Sequence, residues 1–532
     1  MWLYNTLNGR KERLQTVEPH EVKIYVCGPT TYNYIHIGNA RPIVVFDTLR
    51  RYLEFKGYRV KYIQNFTDVD DKIIKRAQEE KQNPVYLAEK YINEYFKDAE
   101  ALNVRRADHH PRVSEHIPDI IQAIETLIKK GFAYQAGGDV FYRVRAFTNY
   151  GRLSNRTMED MLSGARVEID ERKEDPVDFA LWKAAKPNEP FWDSPWGQGR
   201  PGWHIECSVM ATKYLGDTID IHGGGNDLIF PHHENEIAQA EAITNKPFVR
   251  YWMHNGYITV NNEKMSKSLG NFFILRDVLQ KYPGDVVRYY LITTHYRSPL
   301  DFDDQKLEEA QKALGRLKTT IDLLDHYLKG FKENQVTKTD YKERQKVFLD
   351  TVKEKENAFI QAMDDDLNTA KAIGCLFELS HLVNTFISQD KDQLSQMAAL
   401  KAGDIFKNLA GILGILIEPK DIPDIVVKGL VELLVELRQI ARSEKDFKTA
   451  DRLRDLLNEM AIIIEDTPSG SRIKFGTIPE ISLLMNHIIN ARNFYIENNN
   501  LNRADFIRDR LNNQGFVLED TGKGAGWRFA GE

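Results

Sequence analysis

Few cysteines occur in this chain. The sequence of 532 residues contains only three, Cys27, Cys207 and Cys375. They are too few and too scattered for a disulfide framework in so long a chain. Cys375 lies in an apolar helical stretch and matches no ligand motif, so we assign it to the core. For the other two cysteines, metal binding and plain burial both remain open.

Long hydrophobic runs are also absent. The longest one that we find covers nine residues, 409–417, whereas a membrane helix needs roughly 20. The first residues lack the basic start, the apolar stretch and the small-residue cleavage site of a secretory signal. We therefore expect a cytoplasmic protein that does not enter a membrane.

An excess of one charge is missing as well. Lys plus Arg number 72 and Asp plus Glu number 78, so the net charge is only -6. A polyanionic partner would therefore have to meet a local basic surface. The 42% hydrophobic and 28% charged residues are typical of a globular protein, and the length suggests about three or four domains.

The N-terminal part of the sequence predicts a β-α-β unit. Residues 21–26 and 60–66 are β-rich runs, and between them apolar residues recur at helical spacing from near Pro42 until Gly57 ends the pattern. Such a unit requires a parallel sheet, whose ligand binds at the carboxyl ends of the strands. Residues 27–30 follow the first strand, so we expect function to concentrate there. We predict an α/β Rossmann-type nucleotide-binding catalytic domain.

The rest of the chain divides by composition. Residues 128–200 are irregular and contain many Gly, Pro and Trp residues, which indicates an insertion into the nucleotide-binding fold. From residue 304 onward leucines recur on one helical face, which is typical of a helical core, until residues 418–424 interrupt the pattern. Near the C-terminus Ala450–Asp455 recurs as Ala504–Asp509, 54 residues later. Each copy predicts two short helices and a β-like tail, so we interpret the repeat as a small duplicated α+β module.

Two short motifs carry the first chemical signal. His36-Ile-Gly-Asn39 lies before the first predicted helix, where backbone N–H groups and the helix dipole favour phosphate. Lys264-Met-Ser-Lys-Ser268 follows a strand-like run and makes a cationic loop. Alone, each has a plain alternative, a turn with a satisfied histidine or a solvated surface loop. Together, and in this order, they resemble the paired signatures of class I aminoacyl-tRNA synthetases.

Longer stretches narrow the resemblance to the cysteinyl-tRNA synthetase family. These stretches are Cys27–Thr30, Thr67–Lys72, Pro201–Cys207, Asp220–Glu236, Met363–Thr369, Lys445–Phe447 and Gly526–Arg528. Because they run from the first predicted strand to the last few residues, the resemblance covers nearly the whole chain.

The resemblance implies one zinc ion per chain, bound by Cys27, Cys207, His232 and Glu236. Part of this set follows from the residues alone, since His232 and Glu236 are four positions apart and share a helical face. Sequence spacing does not show that the two cysteines meet, and two buried thiols are the alternative. Zinc coordinates a thiolate strongly and a hydroxyl poorly. It would therefore separate cysteine from serine, which a pocket of matching shape discriminates only weakly.

The same resemblance implies a cysteine-binding pocket. Asp227 would hold the substrate ammonium, Thr67 and Trp203 would line the pocket, and Cys27 would border it as a metal ligand. His204 is a further candidate at its border. Asp227 follows three glycines, so a turn residue is the alternative reading there.

ATP with Mg²⁺ is the second implied substrate. The catalytic candidates are His36, Asn39, Lys264 and Lys267, which would stabilise the charge that builds on the α-phosphate during adenylation. Asn39 departs from the commonest form of its motif, which ends in histidine. The further ATP-binding candidates are Gly28, Pro29, Thr30 and Gly38.

The helical region and the C-terminal module are implied to read tRNA(Cys). Residues 431–532 hold 14 Lys plus Arg against 16 Asp plus Glu, so bulk charge does not support this. Trp527 and Arg528 would stack on and hydrogen-bond an anticodon base, and a core tryptophan is the alternative. The family features are split, with Lys445–Phe447 in the first copy and Gly526–Arg528 in the second. Which copy reads the anticodon is therefore open.

We accordingly divide the chain into four parts. They are a Rossmann catalytic domain (1–255, with the insertion at about 128–200), a KMSKS loop and stem-contact region (256–310), a helical tRNA-binding domain (311–420) and a duplicated C-terminal anticodon-recognition module (430–532). The predicted function is ATP-dependent ligation of L-cysteine to tRNA(Cys) by a monomer.

Three alternatives differ in acceptor or chemistry. A ligase that joins cysteine to an amino sugar would share the core and the zinc site but lack the modules at 310–532. A non-catalytic RNA-binding paralogue would not need His36, Lys264 and Lys267. A small-molecule nucleotidyltransferase would not explain the KMSKS loop. Separately, Lys72-Ile-Ile-Lys75 resembles a family motif linked to pyridoxal-phosphate-dependent persulfide formation, with exposed helix lysines as the default.

Overall fold

The structure is a computed structural model that describes most of the chain. The described residues are 1–164, 171–187, 189–260, 263–264, 273–331, 341–389, 391–416, 424–460, 462–467, 470–475, 481–497, 500–521 and 524–529. The chain forms two compact units, residues 1–417 and 418–532. Within the described ranges, no helix is long and apolar enough to cross a membrane.

The first unit mixes strands and helices. Its strands are β1 (Trp2–Asn5), β2 (Arg10–Arg13), β3 (Glu21–Val26), β4 (Arg59–Gln64), β5 (Ala133–Ala136), β6 (Asp139–Tyr142), β7 (Phe179–Ala184), β8 (Gly199–Pro201), β9 (Ile219–Gly225), β10 (Val249–Asn255), β11 (Ile258–Val260), β12 (Glu263–Lys264) and β13 (Leu300–Asp301). Its α-helices are α1 (Ile37–Phe55), α2 (Asp71–Glu80), α3 (Pro84–Ala101), α4 (Ile117–Lys129), α5 (Met158–Gly164), α6 (Trp203–Leu215), α7 (Glu234–Thr244), α8 (Leu275–Leu279), α9 (Gly284–Ile292), α10 (Asp304–Leu328), α11 (Glu343–Asp364), α12 (Thr369–Ile387) and α13 (Gln393–Leu413).

A four-stranded parallel sheet in the order β10-β9-β3-β4 forms the centre of this unit. Val26, at the end of β3, lies beside Gly223 of β9 on one side and Gln64 of β4 on the other. Helix α1 connects β3 to β4, which confirms the predicted β-α-β unit. The carboxyl ends of the strands therefore meet at one edge, where sheets of this kind bind their ligands.

Helix α1 begins earlier than Pro42, near which we expected its start. His36 is its N-cap: the His36 ring accepts a hydrogen bond from the Asn39 N–H, and the Asn39 side chain accepts one from the His36 N–H, both at 3.2 Å. This reciprocal capping satisfies donors that a helix start leaves free. Pro42 lies inside the helix and loses only the bond that an N–H would have made to Gly38. The motif at 36–39 is therefore the cap and first turn of the helix.

The insertion and the helical region follow the prediction. The insertion forms a four-stranded antiparallel sheet in the order β5-β6-β7-β8 between α4 and α6. Helix α10 buries Leu307, Leu314 and Leu317 on one face. Helices α10 to α13 share one hydrophobic core with α1 and α9.

The second unit consists of two helix-helix-hairpin segments. Its elements are α14 (Asp424–Ser443), α15 (Phe447–Glu459), β14 (Ile462–Thr467), β15 (Gly470–Phe475), α16 (Ile481–Glu497), α17 (Leu501–Asn513), β16 (Phe516–Thr521) and β17 (Gly524–Phe529). The elements α15, β14 and β15 recur 54 residues later as α17, β16 and β17. The four-part division of the chain stays a prediction, since the two units divide it only at residue 417.

A buried arginine ties distant elements of the first unit together. Arg288, on α9, is fully buried. It donates to the carbonyl oxygens of Leu102, Asn103 and Leu413 at 3.1, 3.0 and 2.8 Å, and it pairs with Asp47 at 2.6 Å. Because these contacts lie on three separate segments, Arg288 joins α1, the end of α3 and the end of α13.

We predict that Arg288→Ala lowers the free energy of unfolding by about 3–5 kcal/mol, because buried Asp47 is left with Arg51 as its close cationic partner and three carbonyl oxygens lose a donor. Denaturant-induced unfolding measures this. The matched control is Arg10→Ala, since Arg10 is 76% exposed in its pair with Glu12 and exposed pairs contribute about 0–1 kcal/mol. Equal losses in the two variants would contradict the role given to Arg288.

Candidate active site

A cavity of about 370 Å³ opens at the carboxyl edge of the parallel sheet. Its wall draws on residues from several separate stretches of the sequence. Among the predicted residues it is lined by Cys27, Gly28, Pro29, Thr30, His36, Gly38, Asn39, Thr67, Trp203, Cys207, Asp227 and His232. The structure thus brings most of the predicted site together in one place.

The turn after β3 depends on Gly28. Its N–H donates to the Asn65 side-chain oxygen at 3.0 Å. A Cβ at Gly28 would lie 1.7 Å from the Asn65 carbonyl oxygen. Only glycine therefore allows the two strand ends to approach this closely, which sets the position of the Cys27 thiol.

Four donor groups form a cluster at the cavity, and three of them, all except Glu236, line its wall. The Cys27 sulfur lies 3.8 Å from the Cys207 sulfur, 3.5 Å from His232 Nε2 and 3.5 Å from Glu236 Oε1. His232 Nε2 lies 3.0 Å from Glu236 Oε1. Their ligand atoms all lie within 4.8 Å of one another. The predicted ligand set is therefore a compact cluster, although no spacing in the sequence indicated that Cys27 and Cys207 meet.

A second group of ligand atoms overlaps the first and was not predicted. His222 and His233 place their Nε2 atoms 3.6 and 3.4 Å from the Cys27 sulfur, and with Glu236 they also form a compact cluster. Both histidines belong to the stretch Asp220–Glu236. His222 lies in β9, which ends at the site, and His233 lies one position off the helical pairing of His232 with Glu236, so no spacing in the sequence linked either histidine to Cys27.

Charges in this cluster are strongly coupled. Burial raises the pKa of Glu236, but the rings of His222 and His232 outweigh it and hold that pKa well below its usual range. Burial also raises the pKa of Cys207, yet hydrogen bonds with Cys27 and His232 lower it to about 6. Burial and the neighbouring Cys207 raise the pKa of Cys27. Glu236 and Cys207 are therefore held in their anionic forms, which suits a cation, whereas Cys27 is held as the neutral thiol.

Aromatic groups surround the histidine ligand candidates. The Trp203 ring stacks on the His232 ring at 4.4 Å between centres. His204 Nδ1 lies 2.9 Å from His232 Nδ1, so the residue that we placed at the pocket border contacts a ligand candidate. His233 Nδ1 lies 2.8 Å from His254 Nε2. Such outer contacts fix the orientation of ligand rings.

The predicted amino-acid pocket has an additional buried carboxyl group. The Thr67 hydroxyl donates to Glu206 at 2.9 Å. Burial and the neighbouring Cys207 raise the pKa of Glu206 well above its usual range. Sequence reasoning missed Glu206, which had no signal beyond its place next to Cys207. Lys72 also lines the cavity, with its ammonium 6.0 Å from the Trp203 ring.

Other predicted residues lie elsewhere or outside the described part. Lys264 ends the two-residue strand β12, and Lys267 falls outside the described residues. Trp527 and Arg528 belong to β17 of the second unit. The Trp527 ring is half-buried and lies 5.5 Å from the Phe516 ring, as a core tryptophan would.

Known proteins resemble the chain over most of its length. Residues 13–312 match the family of tRNA synthetases class I (C) catalytic domains, and residues 358–418 match the DALR domain family. A cysteine–tRNA ligase from Pelotomaculum thermopropionicum is 57% identical over 488 residues, which cover 89% of this chain and 99% of the relative. The chain belongs to the cysteine–tRNA ligase family. It is thus a class I aminoacyl-tRNA synthetase, as the paired motifs predicted.

Further relatives support the same assignment. A cysteine–tRNA ligase from Desulforamulus reducens is 55% identical over 487 residues and covers 89% of this chain and 99% of the relative. A methionyl-tRNA synthetase from Mycobacterium tuberculosis, solved with methionyl-adenylate, has a TM-score of 0.56 at 14% identity and covers 74% of this chain and 90% of that chain. At this identity the solved structure supports the fold alone. The Rossmann-type fold class of this cysteine–tRNA ligase family member is confirmed.

We predict that Gly28→Ala lowers adenylation by about 10²-fold, because the turn must move to relieve the contact with Asn65 and displacements near 1 Å have effects of that size. Cysteine-dependent pyrophosphate exchange measures this. Gly315→Ala is the control, since a Cβ there meets nothing within 4 Å and alanine favours the helix. Full activity of the Gly28 variant would show that the turn tolerates a side chain.

Proposed function

We propose that the chain activates L-cysteine with ATP to form cysteinyl-adenylate and then transfers the cysteinyl group to the 3′ end of tRNA(Cys). The observation that carries this proposal is the shared cavity. Two thiols and one imidazole of the thiol-imidazole-carboxylate cluster line it, and the N-terminal turn of α1 borders it. A sulfur-selective group therefore lies next to a phosphate-binding element.

The cluster fits a zinc ion held by Cys27, Cys207, His232 and Glu236. Zinc–ligand bonds of 2.0–2.3 Å in a tetrahedron put the ligand atoms about 3.3–3.8 Å apart. The separations of 3.0–3.8 Å agree with this. When bound, zinc supplies a site that prefers the substrate thiolate to a serine hydroxyl.

The first ligand set is favoured over the set with His222 and His233. Cys207 and His232 both line the cavity, whereas His222 and His233 are not among the residues of its wall. An incoming thiol can therefore reach a cation held by the first set. Two cysteine sulfurs also provide the softer environment that suits zinc. His222 and His233 then orient the ligands and balance the charge of Glu236.

The polar groups of the cavity match the rest of the amino acid. The Asp227 carboxylate lines the wall and is suited to the substrate ammonium. Thr67 is held by Glu206 and Trp203 by His232, so both have defined positions for lining the pocket. Lys72 adds a positive charge to the same wall. Persulfide formation by the Lys72–Lys75 motif stays a hypothesis.

ATP is assigned to the wall formed by residues 28–30 and the start of α1. The positive end of the helix dipole at the start of α1 favours phosphate, and Gly38 leaves room for a close approach. His36 and Asn39 are committed to capping each other, which fixes both side chains for contact with the phosphates and the ribose. Lys264 and Lys267 supply positive charge to the reacting phosphate, and Mg²⁺ accompanies ATP.

Helices α10–α13 and the second unit are assigned to tRNA binding. The DALR match at 358–418 supports this for the helical part. In the second unit, Trp527 and Arg528 remain the candidates for an anticodon base, and the half-buried ring of Trp527 leaves only part of its surface for stacking. The copy that reads the anticodon, the monomeric state and the boundaries of the four parts are carried forward as predictions.

Aminoacylation of unfractionated tRNA with labelled cysteine, ATP and Mg²⁺ tests the function, with labelled serine as the control. Selective charging with cysteine supports the proposal. Cysteine-dependent pyrophosphate exchange without charging would indicate another acceptor, such as an amino sugar. Absence of both activities would favour a non-catalytic paralogue.

We predict that Cys207→Ser loses bound zinc together with discrimination against serine, because one of two soft ligands is removed. Metal analysis and the ratio of kcat/KM for cysteine and serine activation measure the two effects. Cys375→Ser is the matched control, since Cys375 is buried outside the cavity. Full zinc content in the Cys207 variant would remove this residue from the ligand set.

We predict that Lys267→Ala slows cysteinyl-adenylate formation by about 10²–10³-fold and leaves zinc bound, because the variant lacks one cation that stabilises transition-state charge. Single-turnover adenylation measures the rate. An unchanged rate would exclude Lys267 from catalysis.

A further inference from the structure

The loop at residues 150–156, here called the insertion loop, is held against α7 by a buried carboxylate. Glu234, in the first turn of α7, is fully buried. It accepts hydrogen bonds from the Gly151 N–H at 2.9 Å, the Ser154 N–H at 2.8 Å and the Ser154 hydroxyl at 2.9 Å. Charge-assisted bonds of this kind are strong, so the loop has a defined position on the helix that carries Glu236.

Backbone geometry tightens the end of the insertion loop. The Arg156 N–H donates to the Gly151 carbonyl oxygen at 3.1 Å. Gly151 has a φ of +97°, and a Cβ there would lie 2.2 Å from the Arg156 carbonyl oxygen. Leu153, which lies between these two residues in the sequence, is buried in the core. Arg156 therefore leaves the loop from a fixed backbone position.

The guanidinium of Arg156 lies next to the wall of the cavity, at a place here called the rim, without itself lining the cavity. It is 4.6 Å from the centre of the Phe230 ring, and Phe230 is two residues before His232, which lines the cavity. Burial and Asp227 raise the pKa of Tyr257, and the charge of Arg156 opposes them. Asp227 and Tyr257 both line the cavity, so Arg156 acts electrostatically on its wall.

Arg156 is exposed, and its charge is not used in an ion pair with any described residue. Its loop neighbour Arg152 is paired with Glu241. The charge of Arg156 acts on Asp160, but the Asp160 carboxylate accepts hydrogen bonds from Thr157. A planar cation stacked on an aromatic ring and facing water is well suited to a phosphate group.

We propose that Arg156 binds a backbone phosphate of the single-stranded 3′ end of the tRNA. This inference rests on the proposed function, in which the terminal ribose hydroxyl must reach the adenylate inside the cavity. The nucleotides behind that ribose then leave the cavity over its rim, where an exposed cation meets their phosphates. Because the chain carries a net charge of -6, such local cations are needed to bind a polyanion.

The test compares Arg156→Gln with Arg145→Gln and Arg156→Lys. Arg145 is an exposed arginine of the insertion that pairs with Asp175, so its variant makes the same charge change away from the rim. For Arg156→Gln we expect the KM for tRNA to rise about tenfold, with little change in tRNA-free pyrophosphate exchange. The slope of log KM against log salt should fall by about 0.7, the value for one phosphate of a single strand. Arg156→Lys should keep most of the affinity for tRNA, because lysine carries the same positive charge.

Three results would overturn the assignment. Equal KM values for Arg156→Gln and Arg145→Gln would show that the position does not matter. A parallel loss of tRNA-free pyrophosphate exchange would assign Arg156 to the ATP phosphates. A raised KM with an unchanged salt slope and no rescue by lysine would indicate a structural role. Failure of the wild-type chain to charge tRNA with cysteine would instead refute the proposed function, so the two failures are distinguishable.

Discussion

The pairing of β3 with β9 is the contact on which the candidate site depends. Val26 lies beside Gly223, although the two residues are almost 200 positions apart in the sequence. This register sets Cys27 at the end of one strand next to the loop that follows the other. Because parallel strands present their carboxyl ends at the same edge, the proposed phosphate-binding turn and the candidate ligand cluster reach the same cavity. A shift of one residue would turn the strand side chains to the opposite face.

Gathering these ligand groups in the interior has an electrostatic cost. Glu236 is fully buried, and a buried carboxylate is tolerated only when it is paired. His222 and His232 provide that compensation, and both lie within 3.3 Å of its oxygens. His233 is in turn held by His254, whose other ring nitrogen lies 2.8 Å from the Thr6 hydroxyl. The surrounding rings therefore keep anionic donors together at a place where their repulsion would otherwise favour separation.

Much of the fold follows from local sequence patterns, but the site does so only in part. The β-α-β unit and the leucine face of α10 were predicted because period and spacing are local properties. The pairing of His232 with Glu236 was predicted for the same reason. The proximity of Cys27 to Cys207 depends on long-range topology, so only the family resemblance predicted it. Residues such as Glu206 and His222 act through neighbours distant in sequence, so no local pattern revealed them.

Main-chain hydrogen bonds connect the first signature motif to the described residues that follow the second motif. The Ile37 N–H donates to the Phe273 carbonyl oxygen at 3.1 Å, and the Leu275 N–H donates to the Ile35 carbonyl oxygen at 2.9 Å. The next residue, Arg276, pairs with α3 through Asp98 at 3.0 Å.

These bonds give the chain after the KMSKS segment a fixed register on the cap of α1. The described chain that follows this segment, from Phe273 onward, is thereby held against the element that borders the proposed phosphate site. This attachment explains why the two motifs are informative as a pair. Each is a common local pattern, but the fold connects the first motif to the chain that follows the second one by hydrogen bonds between main-chain atoms, which do not depend on the side chains at those positions.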